Sequence, residues 1–197
     1  GYRTLEANTT GACNTASGGL ALVTNTGSYN TAYGFAASYA NTTGNKNNAF
    51  GDGALQTNTT GGCNAAFGGW ALHVQTSGSY NSAVGVCALY TNTTGAQNTA
   101  MGKDALFNNT TASKNTATGY RALVSNTTGA INTASGYEAL ACNTTGQLNH
   151  ATGSCSMCLN TTGSYNTASG SYSLKGNTSG IANAAFGYRA LETNTTA

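Results

Sequence analysis

Apolar and polar residues in this chain fall at fixed places in a seventeen-residue window that recurs from end to end, typified by NTAMGKDALFNNTTASK at 98–114. The window opens on an Asn: Asn14, Asn30, Asn47, Asn64, Asn81, Asn98, Asn115, Asn132, Asn149, Asn166 and Asn183. Every interval is seventeen except the first, which is sixteen because the turn at Asn25, Thr26 and Gly27 lacks one Thr. Numbered from that Asn, position 3 is always Ala and position 5 always Gly. Position 8 is Ala apart from Thr4, Ser156 and Ser173, and position 9 is Leu apart from Ser38 and Met157. Positions 2 and 4 vary widely, as Thr15, His150 and Ala184 or Ser17, Tyr33 and Met101 show. Alternation of fixed and variable residues is the mark of a short strand with one face turned inward. No single window carries enough apolar surface to fold alone, so the copies must stack. The expected fold is all-β, a parallel β-solenoid or β-roll of about eleven 17-residue coils, forming one continuous array over 1–197.

The pattern predicts two short strands per coil, at positions 1–5 and 8–13, with corners between them. The second ends in Asn-Thr-Thr-Gly, whose Asn bonds its own downstream backbone and whose Gly tolerates positive φ, both suited to a tight turn. The expected core ladder is Leu5, Leu22, Leu55, Leu72, Leu89, Leu106, Leu123, Leu140, Leu174 and Leu191. At ~4.8 Å per coil the rod would be on the order of 50 Å long. The opening Asn column, and a second at position 12 broken once by Gln75, can pass side-chain amide hydrogen bonds from coil to coil. A core this thin predicts lateral association through outward aromatics, with Tyr33, Phe50 and Phe67, continued by Val84 and Met101, at position 4 and Tyr39, Tyr90 and Phe107 at position 10.

Composition narrows the function. Seven Lys or Arg and five Asp or Glu are scattered, so there is no basic stripe to engage nucleic acid. No apolar run approaches the roughly 20 residues of a membrane span, and no signal peptide stands at the start. The chain starts and stops part-way through a repeat, and GYRTLEANTT at 1–10 is echoed by GYRALETNTT at 187–196. It therefore reads as a processed piece or a segment of a longer array.

The motif Asn-Thr-Ala-x-Gly-x-x-Ala-Leu, carried by Asn132, Thr133, Ala134, Gly136, Ala139 and Leu140, resembles the head repeats of YadA-like trimeric adhesins and related repeats of phage and virus fibres. The resemblance covers nearly the whole chain, although this unit is longer than that family's and the residue before Gly is often Ser, Thr or aromatic. It implies a left-handed coil, three chains packed together, and binding to host surfaces or matrix.

Chemistry in the sequence is sparse. His73 and His150 stand in different repeat positions, and Glu6, Asp52, Asp104, Glu138 and Glu192 do not converge, so no acid–base pair is expected. Five acids cannot serve a calcium site in every turn, and neither a cofactor nor a metal is expected. Cys13 and Cys63 lie three coils apart, ~14 Å, beyond the reach of a disulfide. Cys142 and Cys158, on adjacent coils, form the candidate disulfide, while Cys155 and Cys158 make an isolated C-x-x-C. Glycosylation sequons stand at Asn8, Asn41, Asn58, Asn92, Asn108, Asn109, Asn126, Asn143, Asn160, Asn177 and Asn194, although turn and ladder duty is the stronger reading of these residues. Paired Thr at 24 and 26, 57 and 59, 91 and 93, and 193 and 195 resemble the ranks of ice-binding solenoids. The expectation is an extracellular structural or adhesive fibre, not an enzyme, partnered by copies of itself and by a host surface or glycan. The alternative is an ice-binding β-solenoid with Thr ladders.

Overall fold

The computed structural model describes residues 1–196. Eleven three-residue strands follow one another: β1 (Thr15–Ser17), β2 (Thr31–Tyr33), β3 (Asn48–Phe50), β4 (Ala65–Phe67), β5 (Ser82–Val84), β6 (Thr99–Met101), β7 (Thr116–Thr118), β8 (Thr133–Ser135), β9 (His150–Thr152), β10 (Thr167–Ser169) and β11 (Ala184–Phe186). They form one parallel sheet in sequence order, and equivalent residues face each other, Ala100 opposite Ala117 and Met101 opposite Thr118. The one-residue shortening of the first window is absorbed in its turn, since Ala16 still pairs with Ala32. The chain is a parallel β-solenoid.

Each coil carries one strand, not two. Positions 8–13 form no second strand but a run of turns that alternates two kinds of backbone bond. In the coil 98–114, Ala105, Phe107 and Asn109 donate within the coil to Gly102, Asp104 and Leu106, at 3.3, 3.3 and 3.1 Å. Between them, Asp104 donates back to Val86 at 3.1 Å, while Leu106 and Asn108 donate forward to Ala122 and Val124 at 3.0 and 3.1 Å. Asp104 and Leu106 take left-handed conformations, with φ of 58° and 52°. Position 17 does the same, as at Lys114 with φ 63°. Left-handed backbone costs a non-Gly residue roughly 1–2 kcal/mol, and it persists because both kinds of bond require it.

The core is a column. Ala at positions 3 and 8 and Leu at position 9 are fully buried in coil after coil, as Ala100, Ala105 and Leu106 are. Leu22, Leu55, Leu72, Leu89, Leu106, Leu123, Leu140 and Leu174 are sealed, with Met157 taking the same place. Leu5 is only part-buried and Leu191 is half exposed, so these two members of the expected ladder lack a complete neighbour. Leu suits a left-handed position better than Val or Ile, whose branched Cβ makes positive φ a genuine outlier. Position 5 needs glycine on two counts: Gly102 has φ 133°, and a Cβ there would lie 2.5 Å from the Gly119 carbonyl oxygen.

Two Asn columns flank this core. At position 1, the Asn98 side-chain oxygen accepts from the Asn115 backbone N–H at 3.0 Å, and the Asn98 amide donates to the Ala112 carbonyl at 2.9 Å. At position 12, Asn109 donates to Asn92 Oδ1 at 2.8 Å and to the Ala112 carbonyl at 3.0 Å, and accepts from Asn126 at 2.9 Å. Buried amides would be costly unpaired. Here each Asn ties its own turn closed and its neighbour in register.

Candidate interaction faces

Since the interior is filled by Ala, Leu and Asn, chemistry directed outward is left to the variable positions. The strand presents positions 2 and 4. Along β2 to β6 the position 4 residues are Tyr33, Phe50, Phe67, Val84 and Met101, four of them exposed and Phe50 half-buried. Tyr33, Phe50 and Phe67 stack ring on ring with centroids 5.1 and 4.9 Å apart, the inter-coil spacing. From β7 to β10 the same column is hydroxylic, at Thr118, Ser135, Thr152 and Ser169, and on β11 it ends in the exposed Phe186. Between β1, which carries Ser17, and β11, this face is divided into an apolar half and a hydroxyl half.

The turn arm carries a second stack. His73, Tyr90 and Phe107 lie parallel, with centroids 5.1 and 5.0 Å apart, and the His73 ring nitrogen Nδ1 meets the Gly53 carbonyl at 3.1 Å. Gly53 makes room for Trp70, whose indole would lie 2.6 Å from a Cβ there. The expected patch thus resolves into two columns on different arms of the coil. Tyr39 takes no part in the second stack, because Gln56 intervenes in the column between it and His73.

Two exposed rows escape sequence reasoning. Position 6 holds Tyr2, Phe35, Val86, Tyr120, Tyr137 and Tyr188; position 17 holds Tyr29, Tyr80, Ile131, Leu148 and Tyr165. Tyr120 and Tyr137 stack at 5.4 Å, and the adjacent Glu138 carboxylate raises the Tyr137 phenol pKa, with burial assisting. The usable signal was the recurrence of aromatic and aliphatic residues at two window positions, interspersed with Gly and polar copies.

Several expectations about single residues are corrected. The sequon residues Asn41, Asn58, Asn92, Asn109, Asn126, Asn143, Asn160 and Asn177 are fully buried. Their amide nitrogens donate into the ladder, as Asn143 does to Asn126 at 2.8 Å and to Gly146 at 2.9 Å, so a glycan on them is incompatible with the fold. Asn8 and Asn194 are part-buried, and Asn108 alone among these sequon residues is exposed. Cys142 and Cys158 are not joined; all six cysteines are free thiols. Three of the four Thr pairs are internally occupied: Thr57 Oγ1 donates to His73 O at 2.8 Å and Thr59 Oγ1 to Thr76 O at 3.0 Å, and the pairs at 24 and 26 and at 91 and 93 behave alike.

Charged groups stay dispersed. Arg121 meets Glu138 at 3.0 Å and Arg189 meets Glu192 at 2.9 Å, pairs open enough to water to contribute little. Gly176 leaves a shallow depression bordered by Leu159, Lys175, Glu192 and Thr193. Among the described residues no group of three His, Cys, Asp or Glu side chains is placed to hold a metal ion, and no helix is long and apolar enough to cross a membrane. Comparison with protein-family models, with curated proteins and with solved structures finds no match.

Proposed function

We propose that this chain is a rod segment of an extracellular fibre, which associates with further copies of itself and offers its outer faces to a host surface or glycan. The observation that carries the reading is the apolar half of the strand face, where Tyr33, Phe50, Phe67, Val84 and Met101 occupy five consecutive coils. A continuous exposed apolar strip of this kind marks an association surface. The backbone ladder supports it. Positions 2, 9 and 11 donate forward and positions 5, 7 and 17 donate back, so wherever a stack ends, its open groups match those of another coil.

Sedimentation velocity over a range of concentrations tests this. Assembly predicts larger species growing with concentration in the parent, and their loss in a Tyr33→Ser, Phe67→Ser variant. A parent that stays monomeric at high concentration refutes it.

A second reading rests on the hydroxyl half of the same face. Thr116, Thr118, Thr133, Ser135, Thr167 and Ser169 stand on β7, β8 and β10, and their hydroxyls make no internal hydrogen bond among the described residues. That array, broken at β9 where His150 meets the Thr152 hydroxyl at 3.2 Å, supports the ice-binding alternative better than the internally bonded pairs of positions 11 and 13. Thermal hysteresis in the parent, lost in Thr116→Leu, Thr118→Leu, would support it; no hysteresis would dismiss it.

A further inference from the structure

Positions 7 and 10 of one coil meet side chain to side chain across the turn arm. Arg3 pairs with Glu6, Arg189 with Glu192 at 2.9 Å, and Lys175 lies 5.3 Å from the centre of the Tyr172 ring. The members of each pair lie at i and i+3, and each first member has positive φ. Cys155 and Cys158 occupy the same two positions in the coil 149–165, and φ at Cys155 is 51°. From this geometry we propose that Cys155 and Cys158 are a dithiol that closes to a disulfide within a single coil, making it a redox-sensitive staple.

Position 11, where Cys142 stands, points elsewhere. Thr24, Thr57 and Thr91 at that position lay their hydroxyls on the position 10 carbonyls of the next coil. The neighbours acting on Cys158 rank accordingly: after burial, its pKa is pushed up to about 12 chiefly by Cys155, through charge and a hydrogen bond, with Cys142 the smallest influence.

The staple falls on a coil where the Ala-Leu core is interrupted. This coil replaces the usual Ala-Leu with Ser156 and Met157, and the next places Ser173 beneath it. The Ser156 and Ser173 hydroxyls meet at 3.0 Å inside a column built mostly of Ala and Leu. Local opening of a solenoid begins where the contacts between neighbouring repeats are poorest.

Closure needs an oxidant, and the disulfide of oxidised glutathione serves. Cys155, the more exposed thiol, attacks as thiolate, forming a mixed disulfide and releasing one glutathione thiolate. Cys158 then loses its proton and attacks the Cys155 sulfur, releasing the second. Two protein thiols are oxidised and one glutathione disulfide is reduced to two thiols.

Met157 lies between the two cysteines and supplies the assay. Cyanogen bromide cleaves after Met101 and Met157, giving fragments 102–157 and 158–197. After treatment of the dilute folded chain with oxidised glutathione, the two fragments should stay joined until reduced. The join should survive Cys142→Ser and vanish in Cys155→Ser, two variants whose amide exchange before oxidation should match the parent's. Oxidation should also slow amide exchange severalfold across 149–180 in the parent and in Cys142→Ser, with no slowing in Cys155→Ser. Fragments that separate in Cys142→Ser, stay joined in Cys155→Ser, or never join in the parent would overturn the pairing. A join that leaves exchange in this region unchanged would overturn the staple.

Discussion

Replacing Gln75 with Asn should stabilise the rod, because Gln75 is the one break in the inner run of the position 12 ladder. An Asn there donates both to its own turn and to the preceding coil, as Asn109 does at 3.0 and 2.8 Å. With one more methylene, Gln75 commits its amide to the Gly78 carbonyl at 2.9 Å and accepts from Asn81 and Asn92 at 2.9 and 3.0 Å. Nothing reaches back, and Asn58 Oδ1 is left buried without a partner. An orphaned buried acceptor costs about 1–3 kcal/mol, and losing one buried methylene gives back about 0.8 kcal/mol. Asn81 keeps its bond to the Gly95 carbonyl at 2.8 Å whichever residue stands at 75. The net gain for Gln75→Asn is therefore about 0.2–2.2 kcal/mol, a rise in melting midpoint of up to about 9 °C for a chain of this size. Scanning calorimetry measures it, and amide exchange should show the added protection concentrated between residues 47 and 97. In an Asn58→Ala background the gain should disappear, since the acceptor is gone. A lowered midpoint, or an equal gain without Asn58, refutes the ladder argument.

Three further substitutions probe the same physics. Leu106→Ile keeps volume but puts a branched Cβ at φ 52°; it should cost roughly 2–3 kcal/mol in denaturant unfolding, more than the ~1.5 kcal/mol ceiling usual for volume-conserving swaps. Ser38→Leu removes a buried hydroxyl with no partner and restores the column between Leu22 and Leu55, so the unfolding midpoint should rise by the equivalent of about 1–3 kcal/mol. The Cys158 thiol, raised from 9.0 to about 12 mainly by burial, favours the folded state while protonated. That stability is complete below pH 9.0 and is lost as pH climbs toward about 12; the melting midpoint of the reduced chain should fall over this range more steeply than that of Cys158→Ser.

Much of this molecule can be read directly from its sequence, and the part that cannot has a physical explanation. The unbroken seventeen-residue register reveals the stack, because the hydrogen-bonded ladder tolerates no slip: Ala100 opposite Ala117 follows from their equal place in the window. The Leu column and both Asn columns follow likewise. The second strand misled because alternation along 103–108 arises from alternating left- and right-handed turns rather than from a pleat. One signal contradicted it beforehand: Ala105 and Leu106 are both inward, and neighbours in a strand cannot be. The same error placed the free hydroxyls on the wrong arm, since Thr57 and Thr59 bond backbone carbonyls while Thr116 and Thr118 face water. The sequons matched a surface motif, yet eight of their eleven Asn side chains are needed inside. A window position does not disclose which way its side chain points.

Electron cryomicroscopy of the concentrated, native chain tests the fibre account most directly. The account predicts elongated assemblies whose images repeat every ~4.8 Å along the long axis, the spacing of stacked coils. Isolated compact particles at every concentration, or filaments without that axial repeat, would contradict it.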